Sequence, residues 1–104
     1  MDTRQTRYSF PAVRVCEKGL HFNATASPLF AKRFVKLYTL GDKLVFEPTD
    51  QKTQFEVGAE RNGSSRRRMR NAFVVKHCGL AMGKAYRIYR MGTRYAVKLK
   101  EPLD

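Results

Sequence analysis

Apolar and polar residues alternate with a period of two in five short stretches of this chain, and that alternation predicts β-strands. The stretches are AVRVC (12–16), FVKLYT (34–39), KLVFE (43–47), AYRIYRM (85–91) and RYAVKLK (94–100). Gly41-Asp42 joins the second to the third, and Gly92-Thr93 joins the fourth to the fifth, so each pair reads as a hairpin. A turn at Glu17-Lys18-Gly19 leads from the first stretch into a short strand at Leu20-His21-Phe22, and TQFEV (53–57) reads as a further strand. The period changes in two places. Asn23 is a good N-cap for a short helix over ATASPLFAKR, in which Pro28 limits regularity, and Asn71 is one for AFVVKHCGL, with Gly79 or Gly83 as its left-handed stop. GAERNGSS (58–65) reads as loop.

The order of elements occurs twice: short strand, Asn-capped helix, hairpin. HFNATA (21–26) aligns with MRNAFV (69–74), and VKLYTLGDKLVF (35–46) aligns with YRIYRMGTRYAV (86–97), bringing Tyr38 onto Tyr89 and Gly41 onto Gly92. Such self-similarity predicts an internal duplication. The expected fold class is α+β: a compact, β-rich single domain of two degenerate strand–helix–β-hairpin units, about 12–57 and 66–101. A flexible N-terminus over 1–9 precedes this domain at 10–104. A length of 104 residues suits one domain and leaves no room for two independent cores.

Composition supports a folded chain. Hydrophobic residues make up 42%, with seven Phe and five Tyr, whereas disordered chains are poor in aromatic residues. No apolar run approaches the ~18 residues of a membrane span, which predicts a cytoplasmic protein without membrane contact. Cys16 and Cys78, the only cysteines, make no disulfide framework.

Charge changes the picture most. Twenty-one Lys and Arg against nine Asp and Glu give +12. Residues 59–104 hold twelve of the basic side chains and three of the acidic ones. A domain this basic fits a polyanion, and nucleic acid, DNA or RNA, is the partner its chemistry suits. Within RNGSSRRRMRNAF (61–73), strand geometry sends Arg66, Arg68 and Arg70 to one face and Arg67 and Met69 to the other. Cations two residues apart on a strand lie ~6.6 Å apart, a spacing that can follow a phosphate backbone. In the last hairpin, Tyr86, Ile88, Tyr95, Val97 and Leu99 phase toward the core. Arg87, Tyr89, Arg94, Lys98 and Lys100 then share the opposite face, where cations hold phosphates and a ring stacks on a base. The expected nucleic-acid-binding residues are therefore Arg66, Arg67, Arg68, Arg70, Arg87, Tyr89, Arg94, Lys98 and Lys100, gathered into one continuous patch. Asn23 and Asn71 are better explained as helix caps than as base readers.

Catalysis finds no support in the spacing. Asp42, Glu47, Asp50 and Lys52 sit in a turn, a strand and a loop that do not converge on a cation. Cys16, His21, His77 and Cys78 match no zinc-finger spacing, and adjacent His77 and Cys78 point in different directions on a helix. The expectation is a non-catalytic protein with no metal and no cofactor.

Residues 13–50, VRVCEKGLHFNATASPLFAKRFVKLYTLGDKLVFEPTD, resemble the AbrB-type (swapped-hairpin) DNA-binding unit: strand, Lys-Gly turn, strand, short helix, then a "v.l....d.lvl.p" hairpin. Asn23 and Ala24 stand where that family opens its helix with proline. The layout is also similar to small phage and mobile-element proteins that carry a "kG(I/L)xF" segment, here Lys18-Gly19-Leu20-His21-Phe22. The resemblance implies a DNA-binding regulator. AbrB-type units pair, and a chain with two units can complete the fold alone, so monomer and homodimer both remain open. The alternative is an anti-CRISPR-type inhibitor whose basic face engages guide RNA or a nucleic-acid-guided effector complex of the host.

Overall fold

The alternating stretches become strands of two antiparallel sheets in a computed structural model that describes residues 8–103. The strands are β1 (Ala12–Cys16), β2 (Gly19–Phe22), β3 (Phe34–Leu40), β4 (Lys43–Thr49), β5 (Gly58–Ala59), β6 (Arg67–Met69), β7 (Ala85–Arg87), β8 (Tyr89–Met91) and β9 (Arg94–Lys98). The first sheet has the order β5-β6-β2-β1-β7 and the second β3-β4-β9-β8.

The sheets are joined on both sides. β7 continues through Ile88 into β8, and the Ile88 amide donates to the Pro11 carbonyl at 2.9 Å. On the other side Phe34 bridges Glu56, and two backbone bonds, Val35 N–H to Phe55 O and Val57 N–H to Arg33 O, tie β3 to the segment that becomes β5. Going round the resulting barrel, the order is β3, 55–59, β6, β2, β1, β7–β8, β9, β4.

The pairing has a two-fold pattern. Leu20 pairs with Met69, both buried, and His21 with Arg68, both outward. The alignment of HFNATA with MRNAFV, which sets His21 on Met69, is therefore one residue out of phase with the β2–β6 ladder. β4 and β9 pair over Lys43↔Lys98 to Phe46↔Tyr95. β1 lies against β7 of the other half of the chain, and β3 against 55–57. The turns Gly41-Asp42 and Gly92-Thr93 close matching two-residue loops, each glycine at φ 64°, where a side chain is disfavoured.

The core lies between the sheets. Val13, Val15, Leu20, Phe22, Met69 and Tyr86 face Val35, Leu44, Phe46 and Val97 across it. Phe30 plugs one end: its ring stacks on Phe22 at 4.3 Å and meets Phe46 edge-on at 5.7 Å. Tyr86 is buried with its hydroxyl accepting from the Ala81 amide at 2.8 Å, which satisfies the polar tip.

The α+β class is overturned, because the domain is all-β. Its two predicted helices shrink to a 3-10 turn at Ser27–Phe30 and a six-residue helix, α1 (Ala72–His77). In the first case the Asn23 Oδ1 accepts from the Ala26 amide and the Ser27 hydroxyl donates to the Asn23 carbonyl, while Pro28 lacks a donor. The local polar groups thus make a tight turn in place of a helix ladder. Asn71 does cap α1, its Oδ1 accepting from the Val74 amide, and Gly79 at φ 81° follows the helix end. Strand boundaries also differ: 53–57 forms one bridge at Glu56, whereas Gly58–Ala59, read as loop, is β5. The strand expected over 85–91 is divided at Ile88, and the one expected over 94–100 ends at Lys98. The flexible arm expected over 1–9 falls outside the described residues as far as residue 7. No helix among the described residues is long and apolar enough to cross a membrane.

Candidate nucleic-acid interface

The arginine run is divided by its own strand. Met69 is fully buried, and Arg67, on the same side of β6, turns its guanidinium onto backbone carbonyls. Nε donates to Phe30 O at 3.0 Å, and Nη2 to Val57 O, Ala31 O and Lys32 O at 3.2, 3.3 and 3.4 Å. These carbonyls include those left open at the end of the 3-10 turn. Arg67 therefore belongs to the fold, and the expectation that it grips a ligand is corrected.

Arg68 faces outward in the middle of a cross-strand row. Its neighbours are His21 on β2 and, beyond it, Arg14 on β1. Adjacent strands lie ~4.8 Å apart, so Arg14 and Arg68 are about 10 Å apart at the backbone. Arg14 donates to the Gly83 carbonyl at 3.0 Å. A Glu60 carboxylate oxygen lies 2.8 Å from His21 Nδ1, and the Glu60 amide donates to the Arg66 carbonyl at 2.8 Å, which closes the β5–β6 hairpin. Two shallow depressions flank His21. One, of about 150 Å³, has Arg14, Arg66 and Glu60 in its lining; the other, of about 100 Å³, has Lys18, Arg68 and Arg70. Five cations thus line the two depressions on the outer wall of the first sheet, with Glu60 the one carboxylate in their lining.

The remaining expected residues lie elsewhere. Tyr89, Arg94 and Lys98 are on the outer wall of the second sheet, and Arg87 stands at the seam on β7. β6 and β9 are four positions apart in either direction round the barrel, so the single patch expected from the sequence is two walls that face away from one another. Local alternation fixes which side of a strand a residue takes, but not which sheet the strand joins. Lys100 lies in the turn after β9, on neither wall. Tyr89 is 37% exposed, but its ring already carries Lys98 Nζ at 4.7 Å and the Arg87 guanidinium at 5.5 Å. Those cations take the place that stacking on a base requires.

Sequence reasoning missed Arg14, Lys18 and His21. The alternation of AVRVC already sets Arg14 opposite the core residues Val13 and Val15, but only the β2–β6 pairing, nearly fifty residues apart in sequence, brings it toward Arg68. Burial pushes the Cys16 thiol up from its ordinary range, with Arg14 opposing and Glu60 adding; burial likewise raises Cys78. No group of three or more His, Cys, Asp or Glu able to hold a metal is found among the described residues. No protein-family model, curated protein or solved structure matches the chain.

Proposed function

We propose that this chain is a non-catalytic nucleic-acid-binding protein of a phage or mobile element, gripping phosphate backbone with the outer wall of its first sheet. Arg66, Arg68 and Arg70 supply the charge from β6 and its flanks; Arg14 and Lys18 extend it across β1 and the β1–β2 turn. The observation that carries the reading is this cation-rich row on three adjacent strands, with Glu60 as the one carboxylate in the depressions it borders. Arg14 and Arg68 stand on either side of His21, with Lys18, Arg66 and Arg70 close by. A fold gains nothing from gathering like charges in this way, whereas an anion laid along them relieves the repulsion. The pairing of β1 from the first half with β7 from the second supports the AbrB-like part of the reading. A chain carrying both halves would complete such a unit as a monomer.

The test is fluorescence anisotropy with a short labelled duplex across a salt series. Each phosphate contact contributes about −0.9 to the slope of log affinity against log salt, so R66A/R68A/R70A flattens the slope by roughly 2.7. Its melting temperature stays near that of the wild type. An unchanged slope removes the arginines from the site. A clear preference for structured RNA over duplex would instead favour the inhibitor of a nucleic-acid-guided effector.

A further inference from the structure

We infer that the outer wall of the second sheet is a second anion-binding surface, and that one molecule bridges two nucleic-acid duplexes. This rests on the nucleic-acid reading of the first wall. On the second wall Lys43 of β4 stands directly opposite Lys98 of β9. Two tyrosines frame the pair: the row Tyr38–Val45–Ala96–Tyr89 crosses all four strands. Tyr89 holds Lys98 and Arg87 against its ring, and the Tyr38 hydroxyl accepts from Arg94 Nη1 at 2.6 Å. The rings therefore position cations, and Val45 between them in the row is buried although it points away from the core. Glu47, opposite Lys36, is the one carboxylate on the strands of this wall.

Opposed placement is what turns two patches into a bridge. β9 lies half-way round the barrel from β6, so a straight duplex seated on one wall cannot reach the other. The shortest dimension of the molecule is 26 Å, against a Debye length of about 10 Å at 0.1 M salt, so duplexes on the two walls are largely screened from each other. Lys36, Lys43, Arg94 and Lys98 outnumber Glu47 on the second wall, so it can neutralise part of a duplex seated there.

The experiment mixes two short duplexes, one carrying a donor dye and the other an acceptor, with duplex in excess over protein. Energy transfer measures bridging, and anisotropy of one labelled duplex measures binding. Wild type raises energy transfer. K43E/K98E abolishes it while weakening the anisotropy Kd only about two-fold, the statistical weight of losing one of two faces. K43Q/K98Q, which adds no repulsion, reduces transfer partway and guards against a folding defect in the reversal variant. Duplex binding without energy transfer overturns the bridge and leaves the first wall intact. Transfer that survives K43E/K98E, with a dimer seen by light scattering, places the bridge in a pair of molecules and also overturns it. Absence of any duplex binding by the wild type removes both readings together.

Discussion

Arg67→Ala separates the arginine that holds the fold from those that face solvent. The guanidinium makes one well-placed bond, Nε to Phe30 O at 3.0 Å, and three longer ones to Ala31, Lys32 and Val57 carbonyls. A hydrogen bond to a charged group contributes about 1.5–3 kcal/mol, and the longer, partly exposed bonds add little, so the loss is about 2–3 kcal/mol. A domain of this size shifts by roughly 4–8 °C per kcal/mol, so the melting temperature falls by about 10–20 °C. Arg68→Ala, one residue on and outward-facing, stays within about 0.5 kcal/mol of wild type. Arg67→Lys keeps the charge but not the planar fork, and recovers only a small part of the loss. Thermal melts followed by far-UV circular dichroism, checked by urea titration, compare the three. Equal melting temperatures for Arg67→Ala and Arg68→Ala would refute the carbonyl clamp. The duplex affinity should fall in the opposite order, with Arg68→Ala the weaker binder at a temperature where both variants are folded.

Phe46→Ala removes a fully buried ring that meets both Phe22 and Phe30, and should cost about 3–5 kcal/mol in a urea titration; a neutral result would contradict the phasing of β4. Gly19→Ala places a Cβ against the Met69 carbonyl and the Arg70 Cα, so β2 must move off β6; hydrogen exchange of the Leu20 and Met69 amides should accelerate, and unchanged protection would mean that the strands tolerate the separation. Burial raises both thiol pKa values, so less thiolate is present at pH 8 than for free cysteine. Cys16 and Cys78 should react with a disulfide reagent more slowly than free cysteine, and faster reaction would show that the thiols are not held in this environment.

Much of the barrel is legible in local pattern. The period of two placed Val13, Val15, Phe46 and Val97 inward, and the glycine turns at 41 and 92 paired the hairpins. The alignment of 35–46 with 86–97 matched Val45 to Ala96, which pair at the centre of the β4–β9 ladder; the alignment of 21–26 with 69–74 set the outward His21 on the buried Met69. Alternation also put Arg67 and Met69 on one side of their strand and Arg68 on the other. The helices were over-read, because N-cap residues signal a turn as well as a helix, and Asn23 and Ser27 used their side chains to close the shorter one.

What the chain by itself determined is parity: which side of each strand a residue takes, and where the strand turns back. Tertiary structure alone decided neighbourhood. Whether Arg67 meets carbonyls or phosphates depends on the 3-10 turn at Ser27–Phe30, almost forty residues earlier, lying beneath it. Whether Arg68 and Lys98 share a face depends on which ladders β6 and β9 join. Pairing between distant strands is chosen by the packing of the whole core, and no short stretch carries that information.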